Sequence, residues 1–321
     1  MSSFHIKSAA MIFCMLVAQP LLAHEDHCAA VVASITEAGF DDSVSVSCDN
    51  STALIRSDTY PDHELMTGIV GTNEQLAVPA IYAAPIVLNP TLGSTPQSRD
   101  AALGVAVNGV PIYDYTGGGE MSEADLYHHQ TRHDTILTQQ LDICGGHAGR
   151  GDDYHYHTSP TCMIEQMENA SDAAIIGWAF DGFPIYGHNN PDGTAIGQND
   201  LDVCNGQPDA EFGYRYHTSN DAPYIIQCLM GDVPNINNLP RVAPLKAASG
   251  RGGMESGRPP RGGVNNLTFT ENDSGVRSME YTYQGDSYFM RYSPSGRSDC
   301  YDFETRTITN SGNLMTGEYC R

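Results

Sequence analysis

Lysine is nearly missing from this chain: only Lys7 and Lys246 occur, and the formal net charge is −23 at pH 7. So acidic a surface repels nucleic-acid phosphates and anionic lipid, which excludes both as partners. Tryptophan occurs once, as Trp178. Long apolar runs are absent, since AAMIFCMLVA at residues 9–18 is too short to span a bilayer. Long amphipathic helical patterns are scarce. There is no phosphate loop, dinucleotide fingerprint or Gly-x-Ser-x-Gly elbow, which removes the enzymes built on them.

What the first residues do contain is a leader pattern. Lys7 precedes that short apolar core, and QPLLA at residues 19–23 ends in a small residue suited to cleavage. Residues 1–23 are therefore expected to be a signal peptide cut near Ala23, leaving a secreted or periplasmic protein. Beyond Cys14 the cysteines are Cys28, Cys48, Cys144, Cys162, Cys204, Cys228, Cys300 and Cys320. An even set in an exported chain favours disulfides over metal thiolates. Neighbour pairing is the simplest arrangement. It leaves no thiol free, so a metal would be held by histidine, carboxylate or tyrosine oxygen.

Self-similarity is the strongest signal. GVAVNGVPIYDY at 104–115 matches GWAFDGFPIYGH at 177–188, LDICGGH at 141–147 matches LDVCNGQ at 201–207, and YHYHTS at 154–159 matches YRYHTS at 214–219. Cys162 and Cys228 close the two copies, which span about 104–162 and 177–228. Each copy opens with a hairpin: Asn108-Gly109 and Asp181-Gly182 lie between apolar residues, the pattern of a type I′ turn. Pro111 and Pro184 place the second arm at a sheet edge or take it out of the ladder early. Copy one carries extra residues, including a short helix after a Ser122 N-cap. His129 and His133, at i, i+4, would share a face if that helix reached them. Outside the copies, residues 43–63 read as two strands and a turn. Residues 246–263 form a Gly/Pro/Arg-rich linker, and residues 264–321 alternate into a small separate β module stapled by Cys300 and Cys320. The expected class is mostly β with minor helices (α+β), with residues 24–245 as the main domain.

PDH at 61–63, GVAVNGVPIYDY, DICGGH at 142–147, YHYH at 154–157 and GWAFDGFPIYG at 177–187 occur in an order that resembles the YHYH-domain family. The resemblance covers residues 43–231 and implies an exported β-rich domain. It carries no established activity.

The chemistry rests on histidines. In a strand alternate side chains share a face, so His155 and His157 point one way and Tyr154 and Tyr156 the other. A Cys144–Cys162 bond would let His147 swing over that strand on a tethered loop. Three imidazoles with an open fourth position are the donor set of catalytic zinc sites, and imidazole also suits copper. His63 and Asp181 are further candidate ligands, because the resemblance places their motifs in the same domain; Asp181 is also read as a turn residue at positive φ. Copy two retains His217 but carries Gln207 for His147 and Arg215 for His155, and arginine has no lone pair for a cation. The leading expectation is a secreted protein binding zinc or copper through His147, His155 and His157. Its enzymatic use is open, with Asp152, Asp153 or Asp181 as a base. The alternative is a non-enzymatic module for glycan or extracellular protein, with Tyr127, Tyr154, Tyr156, Tyr214, Tyr216 and Trp178 as stacking faces.

Overall fold

His27, Val31, Ser34, Ile35 and Ala38 recur at helical spacing, and they are the buried stripe of α1 (Leu21–Glu37) in the computed structural model. Residues 21–72, 74–118, 121–197, 199–249 and 260–321 are described. Strand makes up 33% and helix 9%. The leader lies outside the described residues apart from 21–23, which open α1.

Strands β1 (Ser45–Cys48), β2 (Thr52–Ser57) and β3 (Tyr82–Val87) form an antiparallel sheet. β4 (Leu92–Gln97) leads into the duplicated region, where β5 (Gly104–Ala106), β6 (Pro111–Ile112), the short helix α2 (Glu123–Leu126), β7 (Gly146–Ala148) and β8 (Tyr154–Tyr156) form the first copy. After α3 (Thr161–Gln166), the second copy supplies β9 (Gly177–Ala179), β10 (Pro184–Tyr186), β11 (Gly206–Asp209) and β12 (Gly213–His217). The copies make one eight-stranded sheet in the order β11-β12-β10-β9-β5-β6-β8-β7. β5 and β9 meet antiparallel at its centre, with Val105 opposite Trp178, Gly104 opposite Ala179 and Ala106 opposite Gly177. Val105 and Trp178 hold equivalent positions in the two copies, so the register places an approximate two-fold axis between them. Helix α1 covers this centre: Trp178 Nε1 donates to Ser34 Oγ at 2.9 Å and His27 stacks beside the indole at 5.2 Å. Removing so buried an indole costs about 3–5 kcal/mol.

Two local expectations change. β6 and β10 are internal strands, each antiparallel to the first hairpin arm and parallel to the Tyr-x-Tyr strand, as in Ile112–Tyr156 and Ile185–Tyr216. Proline is tolerated there because it opens each strand, where one ladder bond is dispensable. The turns are not type I′ either: Gly109 and Gly182 have φ +81° and +96°, but Asn108 and Asp181 are not left-handed. These glycines also permit close approach, since a Cβ on Gly182 would lie 2.2 Å from the Val87 carbonyl oxygen. Helix α2 starts from Ser122 with a capping box to Asp125 and ends before His129, whose Nε2 instead bonds Asp134 at 2.6 Å.

All four disulfides join neighbours: Cys28–Cys48, Cys144–Cys162, Cys204–Cys228 and Cys300–Cys320, with separations of 18 to 24 residues. Loops of this size give roughly 3 kcal/mol per bond in the chain-entropy account.

β13 (Leu229–Gly231) pairs with β4, and β14 (Lys246–Ala247) begins the C-terminal sheet inside the expected linker, of which residues 250–259 lie outside the described residues. β15 (Asn265–Glu271), β16 (Arg277–Tyr283), β17 (Asp286–Pro294), β18 (Cys300–Arg306) and β19 (Leu314–Cys320) complete it as an antiparallel meander. It does not stand apart. The buried Glu74 carboxylate accepts from the Tyr281 hydroxyl and from the Ile308 and Thr309 amides. The Arg321 guanidinium donates to the carbonyls of Val78, Pro79, Gly151, Asp152 and Ala243. Among the described residues, no helix is long and apolar enough to cross a membrane.

Candidate metal centre

The tyrosines of the repeat build the frame. In the first copy Asp142 closes the cysteine turn, Oδ1 accepting from Cys144 N at 2.9 Å and Gly146 N at 3.2 Å, while the Tyr154 hydroxyl donates to the same carboxylate. In the second copy Asp202, Cys204, Gly206 and Tyr214 repeat these bonds. Burial pushes the Asp142 carboxyl up to about 6, against the pull of its hydrogen-bond donors. The second tyrosine of each copy ties to the hairpin: Asn108 Nδ2 donates to Tyr156 at 3.0 Å, and Tyr216 donates to Asp181.

On the opposite face of β8 stand the imidazoles. His147 lies on β7, paired directly with His155, rather than on a loop swung over the strand. The Cys144–Cys162 bond and the Asp142 turn start β7 in register, and the turn at 149–153 returns the chain antiparallel. Ring centroids of His147, His155 and His157 form a triangle with sides of 5.0, 4.8 and 4.9 Å. Their nitrogens lie within 4.8 Å of one another, and Nε2 of His147 and His157 are 3.1 Å apart. Two ligands of a tetrahedral ion, each about 2.0–2.1 Å from it, stand roughly 3.3 Å apart.

The other ring nitrogens are anchored to main chain. His157 Nδ1 bonds the Asp114 carbonyl and His155 Nδ1 the Asp153 carbonyl at 3.1 Å, while His147 bonds the main chain at Gln140. The Nδ1 atoms of His157 and His155 therefore carry a proton toward their carbonyls. Burial lowers His147 to about 3, with the His155 charge adding to it, and burial likewise drives His157 well below the usual histidine range. On a neutral His157 the Nε2 is a lone pair, and it faces His147 Nε2 at 3.1 Å. Metal-bound histidines show the same outer arrangement, with one nitrogen on the ion and the other on a carbonyl.

Tyr113 stacks on His155 at 4.0 Å, and Gly149 leaves room on the ring edge, since a Cβ there would lie 2.3 Å from His155 Cε1. The three rings are nearly buried but line a cleft of about 190 Å³ with Tyr113, Asp153, Arg150 and Arg241. Neither Tyr113 nor the carbonyl of Asp114 stood out in the sequence. The repeat held the clue, since Tyr186 and Gly187 occupy the matching places, and Gly187 bonds His217 Nδ1 at 2.9 Å.

The second copy has the same backbone and a different filling. Gln207 Nε2 lies 3.1 Å from His217 Nε2, and Arg215 Nε donates to that atom at 2.9 Å. The rest of the guanidinium pairs with Asp209 at 2.6 Å and Asn190 at 2.9 Å. Here donors meet the His217 lone pair.

His63 and Asp181 are not brought to the histidine triangle. His63 sits on the tyrosine face, Nε2 at 2.7 Å from the Tyr156 hydroxyl and Nδ1 at 2.7 Å from the Glu64 carbonyl. Strand alternation puts it behind β8, and its neighbours Cys144 and Cys162 are disulfide-bonded. Asp181 belongs to the second copy, where its carboxylate accepts from Tyr216, Gly231 N and Phe183 N. The aromatic residues considered for stacking are also placed: Tyr154, Tyr156, Tyr214, Tyr216 and Trp178 are buried, and Tyr127 is exposed.

Residues 83–195 match the family described as YHYH protein, so the chain carries a YHYH domain. That span includes β5 to β10 and all three clustered histidines, and it ends before β11 and β12. No curated protein and no solved structure matches the chain.

Proposed function

We propose that this protein binds a divalent transition metal, zinc or copper, through Nε2 of His147, His155 and His157. The observation that carries this reading is the convergence of three buried imidazoles, with one nitrogen from each within 4.8 Å of the others and two Nε2 atoms 3.1 Å apart, set against the second copy, where the same space receives an arginine and a glutamine. Thiolate ligation is ruled out by the pairing of Cys144 with Cys162. Three imidazoles leave a fourth position toward the cleft, which suits an ion that exchanges water or engages a ligand. A bound ion would there supply Lewis-acid polarisation of that ligand. The four disulfides support an oxidising compartment, and the leader pattern supports export with cleavage near Ala23. The glycan-binding alternative loses five of its six stacking faces to the core, and keeps only Tyr127.

Metal analysis of purified protein tests the reading. About one equivalent of zinc or copper is expected, lost from His155→Ala/His157→Ala and kept in His217→Ala. Far-UV circular dichroism of the double variant should match the wild type, since the tyrosine frame is untouched. Full metal content in the double variant would reject the site.

A further inference from the structure

The cleft beside the histidines has a buried donor without a partner. The Gln75 side-chain amide lines it, is 3% exposed, and its Nε2 has no partner among the described residues. One layer behind, the fully buried Arg99 gives Nη2 to the carbonyls of Leu239 and Pro240 at 3.1 and 3.2 Å, and leaves Nε and Nη1 unpartnered. Buried unmet donors are costly and call for an explanation. The segment that Arg99 holds carries Arg241 to the cleft, where its Nη1 donates to the Asp100 carbonyl. Arg150 lies on the wall near Gly118.

Guanidinium charge gathers at the same place. Arg99 is held below the usual guanidinium range by burial and then by the Arg241 charge, so two cations stand together. Three acids line the cleft as well: Asp100, Asp114, whose carboxylate turns to Thr116 N and Oγ1, and Asp153, whose Oδ2 lies 3.6 Å from His155 Nδ1 and has no hydrogen-bond partner among the described residues. A volume of about 190 Å³ admits roughly six waters' worth of ligand at ~30 Å³ each.

We propose that this cleft receives a small oxyanion, a carboxylate or phosphate, through the Arg241 guanidinium and the Gln75 amide, with one of its oxygens at the ion's open position. This rests on the metal reading above. The guanidinium fork matches two oxygens of such a group, and the amide supplies a third donor. In a chain of net charge −23, the Arg150 and Arg241 guanidinium groups at one cleft offer an anion donors that are scarce elsewhere on the surface.

The test is calorimetric titration of zinc-loaded protein with inorganic phosphate and, separately, with succinate, with the metal content of every sample measured. One-to-one binding of at least one anion is expected, and the tighter one identifies the source. Arg241→Gln and Gln75→Leu should each weaken it tenfold or more without loss of zinc. No binding of either anion to zinc-loaded protein, or equal binding by both variants, would overturn the proposal. If the protein takes up no zinc, the same titrations on it separate the two readings. Arg241-dependent binding then keeps the anion site while the metal reading falls, and no binding removes both.

Discussion

The two halves of the central sheet share one backbone plan and have opposite polarity at the same spot. In the first, the imidazoles of His147, His155 and His157 face one another. In the second, Gln207 and Arg215 present N–H groups to His217, and the guanidinium carries its own positive charge into the matching place. One half has a cation built in; the proposed function has the other recruit one. The frame is indifferent to this choice, because Tyr154, Tyr214 and their aspartates make the same bonds in both. Chemistry and scaffold occupy opposite faces of the same strands, which is why they vary independently.

The largest test of this contrast converts one half into the other. Gln207→His/Arg215→His should raise metal content from about one to about two equivalents per chain, read by elemental analysis. No gain would mean that three imidazoles at these positions do not suffice. The next concerns stability without metal. Arg215→Ala takes the guanidinium from the half-buried Asp209, which keeps the Glu211 and Phe212 amides, and should cost about 1.5–3 kcal/mol in urea unfolding with chelator present, whereas His155→Ala should cost less than about half of that. Equal costs would remove the idea that Arg215 acts as the resident cation.

A smaller effect lies at the hairpins. Tyr156 receives from Asn108 Nδ2 and meets His63 Nε2, while Tyr216 receives from Met230 N and donates to Asp181. The hydrogen bonds run in opposite directions, so Asn and Asp are not interchangeable. Asp181→Asn leaves a single oxygen to accept from Tyr216, Gly231 N and Phe183 N and should cost about 1–3 kcal/mol. Burial pushes the Asp181 carboxyl from 3.8 up to about 6. Its contribution to stability is therefore full below pH 3.8 and lost as pH rises through about 6. The asparagine variant should lack that slope, seen as a flatter dependence of midpoint on pH over this window. Smallest is Gly149→Ala, whose methyl would push on His155 Cε1. It should weaken metal binding by about tenfold, or about 1.4 kcal/mol, with folding retained. Its counterpart, Asp209, carries a side chain and pairs with Arg215.

Much of this was readable along the chain. Ordered matches between the copies showed the duplication, the neighbouring cysteines paired as expected, and alternation along YHYH placed tyrosines and histidines on opposite faces. The sequence places His147 on a loop because a three-residue strand, Gly146-His147-Ala148, has too little length for a periodic signal. His63 and Asp181 fall in with the cluster because a shared motif set says nothing about which side of a sheet a residue occupies. The C-terminal sheet looks separate because Glu74 and Arg321 resemble ordinary charges until their partners, some 207 and 170 residues away in sequence, are folded against them.

By its residues alone the chain determined a β-rich, cross-linked, duplicated domain and which histidines share a strand face, because these follow from local spacing and from which positions repeat. Only the folded arrangement decided that the third imidazole stands directly across from the second, that His155 and His157 each bond a carbonyl, and that the unpartnered Gln75 amide lines the cleft. Those depend on contacts between segments distant in sequence, where burial removes the water that would otherwise satisfy every group.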